Sequence, residues 1–141
     1  MEKKPYRLLL TVLLIFFLYT YQGILYGYVA SLKIYFLNRK VDFNHLSIYE
    51  LISIPIYTKF IFSPFLDLYY YKPIGKRMSY ILTISFILFF YYLYLAQNIA
   101  DLIQNLEIYK TTFLLFVSML LISIQDVAID ALCEETFLDE H

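Results

Sequence analysis

The chain has 141 residues, of which 61% are hydrophobic and 16% charged, against about 25% charged in an ordinary soluble domain. A soluble domain of roughly this size leaves about 30% of its unfolded surface exposed, so this composition strands apolar surface that needs lipid or partner protein to cover it. The formal charge of −1 argues against nucleic acid as a partner, and the single cysteine, Cys133, excludes an intrachain disulfide.

A bilayer core about 30 Å thick needs roughly 20 apolar residues in a helix. The first uncharged run, Leu8 to Leu32, follows Lys3, Lys4 and Arg7. It is much longer than a signal-peptide core and lacks a small-x-small cleavage site, so it predicts a first crossing over 8–32. Gly23, Gly27 and Ser31 recur at four-residue spacing there, a stripe suited to close helix packing. Gln22 and Tyr26 lie beside it, where they suit either packing or a cavity lining. The second predicted crossing is 46–70, interrupted by Glu50 and Lys59 and carrying Asp67 near its end. The third, 78–100, is a clean run between Arg77 and Asp101. The fourth, 111–133, follows Lys110 and holds Asp126 and Asp130 in its last half. The fold class expected is therefore all-α: a polytopic bundle of about four transmembrane helices, one domain over 1–141. Lysine and arginine are modestly enriched in the N-terminal segment and in the segment after the second crossing, which places both termini in the cytoplasm.

Ionisable groups inside hydrocarbon cost about 2.5–3.5 kcal/mol on insertion scales, so they face partners or water-filled cavities. Lys59 sits near the middle of the second crossing, with Pro55 and Pro64 on either side loosening the helix. It suits either a cation in the path of an anionic solute or a structural ion pair with an aspartate on a neighbouring helix. Asp126 and Asp130 share one helix face, and two like charges at that spacing call for a cation or a bound proton. They read as a polar face towards a cavity or as inter-helix salt bridges. Glu50 reads as interfacial. A catalytic dyad is disfavoured, since no nucleophile accompanies the pair. His45 and His141 fit no metal cluster, and neither a metal nor a cofactor is expected.

After the second crossing come Asp67, Gly75, Lys76 and Arg77. This pattern resembles the loop between the second and third helices of major facilitator transporters, a latch whose Asp and basic residues pair with other helices in one state. Positive charge at a cytoplasmic loop explains the basic residues equally well. Three stretches together resemble the acetyl-coenzyme A transporter family, a branch of that superfamily. The first is Tyr21-Gln22-Gly23-Ile24 with Gly27. The second is Lys59-Phe60-Ile61-Phe62-Ser63-Pro64-Phe65-Leu66-Asp67 with Gly75-Lys76-Arg77 and Ser79-Tyr80, similar to Lys-hydrophobic-x-Ala-Pro-x-x-Asp and Gly-Arg-Arg-Lys-Ser-Trp. The third and most specific is Gln125-Asp126-Val127-Ala128-Ile129-Asp130-Ala131, similar to Gln-Asp-Ile-Ala-Val-Asp-Gly. Bacterial muropeptide permeases share the third motif, while Tyr70-Tyr71-Lys72 ahead of Gly75 favours the acetyl-CoA branch. Ser63 and Ala131 depart from the family's Ala and Gly.

The resemblance implies a transporter, not an enzyme, moving acetyl-CoA or CoA across an organelle membrane, the endoplasmic reticulum above all, with protons as a further partner. Gln22, Lys59, Gln125, Asp126 and Asp130 would bind or pass the solute, Lys59 attracting phosphate. Asp67, Gly75, Lys76 and Arg77 would form the latch. It covers only the first four helices of a fold built from two halves of about six helices each. The alternative expectation is a truncated, non-transporting small membrane protein.

Overall fold

The computed structural model describes residues 3–68 and 76–138, and every regular element within them is helical. In chain order these are α1 (Lys3–Asn38), α2 (Phe43–Tyr49), a 3-10 turn (Glu50–Ser53), α3 (Ile54–Tyr57), a second 3-10 turn (Lys59–Ile61), α4 (Ser63–Leu68), α5 (Lys76–Gln104) and α6 (Ile108–Leu138). Within the described residues, α1, α5 and α6 supply three stretches long and apolar enough to span a bilayer: Leu9–Asn38, Arg77–Gln104 and Ile108–Glu135. All three helices run past the predicted crossings at both ends. Charged residues such as Lys33 and Asp101 sit within helix, because a helix continues into the interfacial layer where long side chains reach water.

The predicted second crossing, 46–70, requires correction, because it is not one helix. Pro55 lies in the first turn of α3 and lacks the N–H that would bond back into the preceding turn. Thr58 sits outside helical geometry at φ −100° and ψ 12°, and its Oγ1 donates to the Ile54 carbonyl at 3.0 Å. Pro64 repeats the interruption at the start of α4. The broken segment nevertheless runs the length of a membrane. Its beginning touches the start of α6, where the His45 and Tyr109 rings meet edge to face at 5.4 Å. Further along, Lys59 reaches Asp126 and Asp130. From Tyr109 to Asp130 the helix rises about 30 Å, the thickness of the hydrocarbon core. The segment thus parallels α6 over that length, which suits the expected fourth crossing if it is made in pieces.

Helix α6 is the centre of the bundle and touches every other element. One buried cluster gathers Phe36, Tyr49, Ile52, Leu88, Leu115 and Met119. A second, nearer the C-terminal end of α6, joins Ile15, Leu66, Ile81, Ala128 and Ile129. Polar ties reinforce the first. Tyr49 donates its hydroxyl to the Val29 carbonyl at 2.8 Å, and Tyr91 donates to Leu114 at 2.7 Å.

The turn after α1 and the turn after α5 close in the same way. Val41 N–H bonds to the Phe36 carbonyl at 3.3 Å and Lys40 N–H to Leu37 at 3.0 Å. Lys40 takes the left-handed conformation, φ 54°. Around Leu106, φ 53°, the equivalent bonds run from Glu107 to Leu102 and from Leu106 to Ile103. This is the Schellman arrangement that satisfies the last carbonyls of a helix.

The bundle leaves much apolar surface uncovered. It exposes 9747 Å², against about 7,700 Å² for a compact monomer of this mass. Phe16, Phe17, Phe86 and Phe113 are each more than 60% exposed. The expected packing stripe on α1 is also open: a methyl group at Gly23 or Gly27 would meet nothing within 4 Å. Within this chain those glycines bring no helix close. The Ser31 hydroxyl donates to the Gly27 carbonyl at 2.8 Å.

Candidate functional site: a lysine between two aspartates

The break at Thr58 and the 3-10 turn after it turn Lys59 towards α6. Its ammonium lies 2.7 Å from Asp126 Oδ2 and 2.9 Å from Asp130 Oδ2. The four-residue spacing of the aspartates stacks both carboxylates on the face that meets it. Tyr19 of α1 donates its hydroxyl to Asp130 Oδ1 in a very short hydrogen bond. Tyr26, two turns further along α1, lies within electrostatic reach of all three charged groups. Lys59 and Asp130 are 39% and 45% exposed and Asp126 is 13% exposed, so the cluster opens on one side. A helix rises about 1.5 Å per residue, which puts the trio some 8 to 14 Å along α6 from Glu135.

At that end, Arg77 Nε of α5 meets Glu135 Oε1 of α6 at 3.0 Å. Gly75 and the side chains of Asp67 and Lys76 lie outside the described residues. Of the four latch residues, the structure therefore describes the contacts of Arg77. Glu50 pairs with Lys33 of α1.

The remaining two site residues do not join the trio. Gln125 donates to Ser85 Oγ of α5 at 2.7 Å, fully buried, with its Oε1 lacking a partner. Gln22 is buried on α1, and its Nε2 has no hydrogen-bond partner. Both therefore carry unspent hydrogen-bonding capacity. Nothing in the sequence marks Tyr19 or Ser85 as a site residue, and Glu135 stands out there only as part of the acidic tail. Tyr19 is the residue one turn before Gly23, and Glu135 lies five residues beyond Asp130. Neither position stands out in so tyrosine-rich a chain with an acidic tail. Among the described residues no cluster of His, Cys, Asp and Glu fits a metal ion.

Membrane-length helices wrapped around ionised groups paired at depth define a multi-pass membrane protein. The comparisons place it more closely. The family described as "Acetyl-coenzyme A transporter 1" matches residues 11–138, and the chain belongs to that family, which is one of transporters and not of enzymes. It is 28% identical over 115 residues to an uncharacterized protein of Schizosaccharomyces pombe. That alignment takes in 80% of this chain and 22% of the relative, so the chain spans about a fifth of the relative's length. No solved structure matches.

Proposed function

We propose that this chain is part of a transporter that moves acetyl-CoA or CoA across an organelle membrane, the endoplasmic reticulum being the expected one. The observation that carries the proposal is the family match over residues 11–138. The trio supports it. A CoA ester carries several phosphate charges, and a low-dielectric path needs an opposing cation. Lys59 supplies one that is reachable from the open side of the cluster. Gln22 and Gln125 offer buried amide groups without full partners nearby in the bundle. Asp67, Gly75, Lys76 and Arg77 form the latch, and the Arg77–Glu135 pair is its closed contact between α5 and α6.

The geometry also supports the structural ion-pair reading of Lys59, and the two roles are compatible. A lysine held by aspartates in the empty state is free to exchange them for phosphate. The test is binding and uptake of radiolabelled acetyl-CoA by the chain in nanodiscs and in CoA-loaded proteoliposomes. Saturable binding that excess CoA displaces is the expected result. Binding without uptake assigns the chain to part of a larger carrier. Loss of both rejects the reading.

A further inference from the structure

The trio has an unbalanced charge. Asp126 and Asp130 bring two negative charges and Lys59 one positive, while Tyr19 enters as a neutral donor. An ammonium has three N–H donors, and both aspartates already draw on them. A phosphate that binds Lys59 must compete with the carboxylates for that ammonium. When it wins, two carboxylates four residues apart lose their common cation inside the bundle. Two neighbouring carboxylates without a cation raise each other's affinity for a proton, which one of them can then take up.

From this we infer that the Lys59–Asp126–Asp130 trio couples anion binding to proton binding, each phosphate-bearing solute entering with one proton taken from water. The inference rests on the CoA reading above and adds its driving ion. Coupling of this kind is reciprocal: the proton favours the anion as much as the anion favours the proton. The groups that face the trio allow it. From α1 come the phenols Tyr19 and Tyr26, and from α6 the thiol of Cys133 lies within electrostatic reach of Tyr19. On α5, Arg77 is engaged with Glu135 about a turn further along. The side chain of Asp67 on α4 lies outside the described residues.

The experiment measures CoA affinity of the nanodisc-embedded chain against pH, beside an Asp126→Asn/Asp130→Asn variant. That variant reports the titration of CoA itself. Uptake of one proton per anion makes the wild-type affinity fall about tenfold for each pH unit raised, beyond any slope in the variant. Equal slopes overturn the inference and leave the CoA reading standing. A second arm needs no ligand. Infrared spectroscopy of Lys59→Met at neutral pH should show the C=O band of a protonated carboxyl, absent from the same variant carrying Asp126→Asn and Asp130→Asn. Should Lys59→Met fail to fold, Lys59→Gln, which removes the cation but keeps both acids and an N–H donor, takes its place. A missing carboxyl band overturns the trio as a proton site. A chain that binds no CoA rejects the preceding reading, and the infrared band alone then decides whether the trio binds a proton.

Discussion

Lys59 holds two acids at once, so the three possible deletions leave different charges behind. Lys59→Met strands both carboxylates. Orphaning a buried charge costs ~3–5 kcal/mol, and exposure of Lys59 and Asp130 screens part of that, which leaves about 2 kcal/mol. Asp130→Asn costs less, because Asp126 still holds the ammonium and Tyr19 can donate to the new amide oxygen. Stability in detergent, read by thermal unfolding, should fall in the order wild type, Asp130→Asn, Lys59→Met. Restoration should need both Asp126→Asn and Asp130→Asn on the Lys59→Met background, and one of them should restore only part. Complete rescue by Asp126→Asn alone would show that Asp130 does not share the lysine. The sequence announced the need for this cation: two aspartates on one helix face require a counter-charge, and Lys59 was the mid-membrane cation to hand. What it did not announce is the tyrosine. A phenol on α1 meets Asp130 only because α1 and α6 cross at that height, and that crossing is a packing outcome with no local signature.

Individual helices were legible by length and only coarsely by their ends. Charged residues marked the predicted ends of the crossings, whereas the helices stop where a backbone cap forms. Lys40 and Leu106 sit in the left-handed region at φ 54° and 53°, a conformation that costs a residue with a Cβ about 1–2 kcal/mol. Lys40→Gly and Leu106→Gly should therefore each raise stability by about 1 kcal/mol, part of the gain being lost to glycine's greater freedom when unfolded. Thermal or denaturant unfolding of the two variants checks this, and a fall in stability would contradict the Schellman geometry of these turns. The broken segment shows the other limit of sequence reading. Pro55 and Pro64 signal loosening, yet they do not say that Thr58 leaves helical geometry or that 3-10 turns flank α3. Those follow from fitting the segment against α6, with Lys59 drawn towards its two acids.

On the scale of the molecule, the decisive question is whether the broken segment crosses the membrane. Hydropathy makes it the weakest crossing, because no single helix within it is long enough. Geometry argues that it does cross, since it follows α6 from Tyr109 to Asp130 over about 30 Å. The two alternatives give opposite arrangements of the turns. If the segment crosses, the turn at Lys40 and the turn at Asn105 lie on one side, and Glu134 lies on the other. If it does not cross, α5 starts on the side where α1 ended, and Lys40 and Asn105 fall on opposite sides. Cys133 is the chain's single cysteine, so Cys133→Ser gives a clean background for Lys40→Cys, Asn105→Cys and Glu134→Cys, all at exposed positions. In sealed, oriented vesicles a membrane-impermeant maleimide should label the Lys40 and Asn105 variants from the same face and the Glu134 variant from the opposite one. Tags at Met1 and His141 should be shielded from protease or exposed to it together. The positive-inside bias adds that the face shared by the tags is cytoplasmic. Labelling of the Lys40 and Asn105 variants from opposite faces would reduce the chain to three crossings. The Lys59 segment would then lie along the membrane surface, and a path through the trio could not exist.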